Sequence, residues 1–89
     1  MQIDITYLKN PALGWDVTAT ATGEHQEQVQ HIRATINSSP MCDENSDPPV
    51  NKWRRLFTQK GVYPGDNKVV VTVTDDRGND SAAMEQWSS

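Results

Sequence analysis

Apolar and polar residues alternate along much of this chain, most clearly near its end. Lys68 to Thr74 reads Lys-Val-Val-Val-Thr-Val-Thr, so Val69, Val71 and Val73 fall on one face and Val70, Thr72 and Thr74 on the other. Period two in β-branched residues predicts a strand. Tyr63-Pro64-Gly65-Asp66-Asn67 precedes it as a turn, because Pro presets φ and Gly and Asn tolerate positive φ. Asp75 to Asp80 forms a second turn, again with Gly and Asn, and Ser81 to Trp87 returns as the partner strand of a hairpin.

The same period recurs at the start. Ile3, Ile5 and Tyr7 alternate with Asp4, Thr6 and Leu8, and Asn10-Pro11 ends that strand because Pro cannot donate to a ladder. Trp15, Val17, Ala19 and Ala21 alternate with Asp16, Thr18, Thr20 and Thr22, an apolar face backed by a Thr-rich one. That is the pattern of an antiparallel sheet with one solvated side.

Two segments read both ways. Ile32, Ala34 and Ile36 alternate as in a strand, yet Val29, Ile32 and Ile36 also fit a helix face behind Glu24 to Gln30. Trp53, Leu56 and Phe57 sit at i, i+3 and i+4, with Gly61 placed as a helix C′ residue. Read instead as a strand, Trp53, Arg55 and Phe57 share a face on which Arg55 is out of place. Asn37 to Pro49, rich in Pro, Ser, Asn and Asp, reads as a loop. The sum is about four to seven short strands with turns roughly every ten residues, which predicts an all-β antiparallel sandwich. The alternative is a small α+β domain with helices near 24–36 and 51–60.

Length and charge narrow the function. Eighty-nine residues make one domain, 1–89, with room for one core. The formal charge of −4 disfavours phosphate backbones, and Lys52, Arg54 and Arg55 are the only basic cluster, so no nucleic-acid partner is expected. The single cysteine, Cys42, excludes an intrachain disulfide and a Cys-rich zinc site. No apolar run approaches the ~20 residues of a membrane span, so no membrane insertion is expected. Met1-Gln2-Ile3-Asp4 lacks the features of a signal peptide. The chain is expected to be cytoplasmic if complete, and extracellular or on the cell surface if it is a domain of a longer protein.

Gly65-Asp66-Asn67-Lys68-Val69-Val70-Val71-Thr72-Val73-Thr74-Asp75-Asp76-Arg77-Gly78-Asn79, followed by Ser81, resembles the closing strands of bacterial immunoglobulin-like domains. Trp53, Phe57 and the Gly61-to-Gly65 stretch fit the strand and turn that precede them in such domains. The resemblance covers about thirty residues, a third of the chain. It implies a seven-strand sandwich serving as a spacer or ligand-binding unit in a bacterial surface or secreted protein, with a protein or glycan partner. It implies no activity.

Candidate chemistry is sparse. His25 and His31, six residues apart, would lie roughly 20 Å apart on a strand, too far to share a metal. Cys42 is a candidate nucleophile whose neighbours Asp43 and Glu44 would raise its pKa. Two acidic clusters, Asp43, Glu44, Asn45 and Asp47, and Asp75, Asp76, Asn79 and Asp80, are calcium candidates, although Asp and Asn also serve turn geometry. The first resembles half an EF-hand loop without its Gly and distal Glu. Trp15 and Trp53 read as core. Trp87 reads either as a cover over an open end of the core or as an exposed anchor for a partner. No Ser sits in a catalytic elbow and no Gly run makes a phosphate loop. The expectation is a non-enzymatic binding or spacer module without a cofactor. The alternative is a small soluble protein with a weak calcium site or a reactive Cys42.

Overall fold

The computed structural model describes residues 1–10, 14–60 and 66–88. Among them are seven strands and no helix: β1 (Gln2–Asn10), β2 (Gly14–Thr22), β3 (Val29–Ile36), β4 (Ser39–Val50), β5 (Lys52–Lys60), β6 (Asp66–Asp75) and β7 (Asp80–Ser88). All pairings are antiparallel, in a three-stranded sheet ordered β1-β2-β5 and a four-stranded sheet ordered β4-β3-β6-β7. The chain is an all-β sandwich of two packed sheets.

Period two decides what lies between the sheets. Val17, Ala19 and Ala21 of β2 meet Ile32, Ala34 and Ile36 of β3 and Val69, Val71 and Val73 of β6, all 0–2% exposed. Trp53 and Phe57 of β5 and Trp87 of β7 close the same core, with Ile3, Ile5 and Trp15 packed against it. Each fully buried Val or Ile contributes about 1.5–3 kcal/mol over leaving it in water. Opposite faces carry Thr18, Thr20 and Thr22, and Thr72 and Thr74, toward solvent.

Both ambiguous segments are strands, so the α+β alternative is overturned. The helix-like spacing of Val29 and Ile32 comes from a bulge. The register of β3 shifts between Val29 and His31 against both neighbours, which returns Val29 and Ile32 to the inner face three residues apart. In β5 the helical reading needs Leu56 in the core, but Leu56 is 64% exposed while Trp53 and Phe57 are buried. Gly61 and the Tyr63-to-Gly65 part of the expected turn lie outside the described residues, as does Pro11.

The expected loop at 37–49 is a further correction. Asn37 and Ser38, with φ of 50° and 68°, form a two-residue hairpin turn of the type I′ kind, and the rest is β4. Pro40, Pro48 and Pro49 are tolerated because β4 is an edge strand, with only one neighbour asking for donors. The Asn37 side chain anchors the turn by accepting from the Lys68 N–H at 2.9 Å and donating to Asn67 Oδ1 at 3.0 Å. At the β2–β3 connection, Gly23 leaves room for the Glu27 carbonyl, whose oxygen a Cβ would meet at 2.0 Å.

Candidate binding surface along β4

Placing 39–50 on a strand sorts its side chains onto two sides. Ala34 faces Cys42 and Ile32 faces Glu44, so those two point toward the sandwich interior at its open edge. Arg33 faces Asp43 and His31 faces Asn45, so these point outward. The His31 ring lies between two of them, with Nδ1 at 2.6 Å from Asn45 Oδ1 and Nε2 at 2.6 Å from Asp43 Oδ1. Beside it runs an open groove of about 430 Å³ lined by Gln30, His31, Arg33, Asp43, Asn45 and Thr74.

A second groove of about 410 Å³ lies on the edge of the sandwich, between β4 and β5, and shares Asn45 with the first. Its floor is Trp53, and Ser46, Asp47, Lys52 and Arg54 stand around it. Arg55, out of place in a simple apolar face, closes the gap between the sheets here. Its Nε donates to Glu44 Oε2 at 2.5 Å, its Nη1 donates to the Arg54 carbonyl at 3.0 Å, and its guanidinium carbon lies 4.9 Å from the Trp53 ring centroid. Donors and acceptors are thus presented together over adjoining grooves, with the buried Trp53 beneath Arg55 in the second.

Cys42 is half-buried, its Sγ 3.9 Å from the Ile32 carbonyl oxygen. Burial pushes the thiol up, and Glu44 and Asp43 add to the shift, with Arg55 opposing it. His31 points to the other side of the sheet, so no Cys–His pair forms. His25 sits exposed in the β2–β3 turn with φ of 50°.

The acidic clusters have structural partners. Asp75 is 3% exposed and accepts from the Arg77 and Asn79 N–H groups, both at 2.9 Å, which shape the β6–β7 turn around Gly78. Those bonds, that from Asn79 foremost, hold the Asp75 carboxyl below the usual carboxylate range. Asp76 accepts from the Gln28 N–H at 3.2 Å, and Asp80 accepts from the Thr74 hydroxyl at 2.6 Å. Glu44 is held by Arg55 and Asp43 by His31, while Asp47 stands exposed beside the second groove. Among the described residues no three His, Cys, Asp or Glu side chains converge where they could hold a metal ion.

Trp87 is 8% exposed and stacks on Tyr7, with centroids 4.4 Å apart, while Trp15 lies 5.3 Å from Trp87 and 5.9 Å from Tyr7, so the three rings form one cluster. Trp87 covers an end of the core rather than projecting as an anchor. Sequence reading missed Gln30, Arg33 and Thr74 as companions of the acidic residues. The signal was Asn37-Ser38 between two β-compatible runs, which as a tight hairpin sets Arg33 near Asp43 and His31 near Asn45. Compared with known proteins, the chain matches no family model, no curated protein and no solved structure.

Proposed function

We propose that this chain is an immunoglobulin-like module that binds a protein or glycan partner without catalysing a reaction, in a bacterial surface or secreted protein. Seven strands split three and four, with the chain changing sheets after β2, β4 and β5, support the immunoglobulin-like reading. In the seven-strand constant arrangement the fourth strand extends the sheet of the first, second and fifth. Here β4 extends the other sheet, and that displacement is what builds the grooves.

The observation that carries the binding reading is the pair of adjoining grooves meeting at Asn45. They combine His31, Arg33 and Asp43 on one side with Ser46, Asp47 and Lys52 on the other, a mixture of hydrogen-bond donors and acceptors. Hydroxyl-rich sugars and extended peptides are recognised by such mixtures. The surface is a strand edge and its outer face, so the partner is met by β4 itself.

A test is to probe arrays of defined glycans and displayed peptides with the labelled chain, then repeat with Asn45→Ala and Arg33→Ala. Retention of a particular glycan or peptide, weakened about tenfold or more by either change, is expected, since about 1.4 kcal/mol of contact suffices for that. Binding indifferent to both changes would place the partner elsewhere, and no retention at all would favour a spacer.

A further inference from the structure

We infer that β7 is a self-association edge, through which two copies pair antiparallel about a two-fold axis at Met84 to make a continuous eight-stranded sheet. The inference uses the edge opposite β4 and does not depend on the binding proposed there.

An edge strand offers a row of unpaired N–H and C=O groups, and folded proteins block such rows with Lys, Pro, bulges or irregularity. Of the four edges among the described residues, β4 and β5 are blocked that way along their length and β1 only at its end. Edge β4 carries Pro40, Pro48 and Pro49 and breaks register twice against β3. Edge β5 carries Lys52, Arg54 and Arg55, and β1 carries Lys9. Edge β7, Asp-Ser-Ala-Ala-Met-Glu-Gln-Trp-Ser, has no Lys, Arg or Pro, and it pairs with β6 without a register break from Asp80 to Ser88. Its backbone is a regular nine-residue template that pairs with no strand but β6 among the described residues, with β1 of the other sheet approaching it where Tyr7 stacks on Trp87.

The side chains select a second copy as the occupant. Met84 is 51% exposed on the outer face, directly across from Val70 of β6. An axis at Met84 sets Met84 against the second copy's Met84, giving an uninterrupted apolar row of Val70, Met84, Met84 and Val70 across four strands. The same register sets Glu85 against Ala83, Ala82 against Gln86, Ser81 against Trp87 and Asp80 against Ser88. The two carboxylates of each β7 therefore face neutral residues, and no like charges oppose, which antiparallel pairs require. Two edge strands alone bury less than a standard stable interface, so the dimer is weak and concentration-dependent.

Sedimentation equilibrium on the intact chain, up to millimolar concentration, tests the dimer. A weight-average mass rising toward twice the chain mass is expected, and monomer mass throughout would overturn the proposal. Met84→Lys and Met84→Glu each place like charges against themselves on the axis and should each stay monomeric. Their equimolar mixture should associate again as a heterodimer, an outcome that a merely unfolded variant cannot give. Association of either variant alone at the wild-type level would overturn the assignment to β7.

Register has its own readout. In a Cys42→Ala background, Met84→Cys sets two thiols across the axis with Cα atoms roughly 4.5–5.5 Å apart, within disulfide reach. Ala82→Cys sets them roughly 14 Å apart. Mild oxidation should cross-link the first about tenfold or more faster than the second, because only the first meets disulfide geometry. Equal rates would overturn the axis at Met84.

Discussion

Arg55 of β5 bridges the open side of the sandwich to Glu44 of β4, Nε to Oε2 at 2.5 Å, while its guanidinium stacks over Trp53. The bridge ties the two sheets where neither has a covering element. Both side chains are 42% exposed, so water screens the pair. A double-mutant cycle with Glu44→Gln and Arg55→Gln should return a coupling of about 0.2–1 kcal/mol that shrinks in high salt. A coupling of several kcal/mol, insensitive to salt, would mean that the pair is far better shielded than its exposure allows.

The core makes a sharper contrast. Ile32 is fully buried at the centre of the four-stranded sheet, and Leu56 is 64% exposed although it follows the helix-like spacing in β5. Ile32→Ala should cost about 2–5 kcal/mol in chemical denaturation. Leu56→Ala should change stability by no more than about 0.5 kcal/mol, as surface substitutions do. Comparable losses at the two sites would argue that β5 does not present Leu56 to solvent.

Cys42 should behave as a sluggish thiol. Its burial and the neighbouring carboxylates favour the neutral form, so the pH profile of alkylation should lie above the ordinary thiol value of about 8.5. Because the folded chain holds that proton more tightly than the unfolded chain, the associated stability is present below the ordinary value and lost as pH rises past it. Cys42→Ala should remove that alkaline loss. A profile centred below neutrality would instead mark an activated nucleophile.

The β6–β7 turn depends on Asp75 as an anion. Its carboxyl is held below the usual range by the Asn79 and Arg77 N–H groups, so its contribution is fully present above about pH 3.9. It fades as pH falls from there through the lower folded value. Asp75→Ala should lower the melting temperature at neutral pH and flatten the loss on acidification. An acid limb unchanged by the substitution would show that other carboxylates govern it.

Most of the strands and most of the core are written in the alternation of residues along the chain. Val69, Val71 and Val73 and Val17, Ala19 and Ala21 announce their buried faces by period two, because a strand's side chains alternate whatever it packs against. The β6–β7 turn was equally legible, since Gly78 and the Asp and Asn around it act locally. Three features required the tertiary structure. The bulge at Val29–His31 mimics a helical period and shows itself only against its neighbours on both sides. Pro-rich 39–50 is a strand only because it occupies an edge, a position that local sequence does not encode. The β4 grooves bring Thr74 and Gln30 to Asp43, and Trp53 and Lys52 to Asn45, across strands whose pairing is a global choice. Alternation is a property of one strand, whereas edges, bulges and grooves are properties of which strands meet.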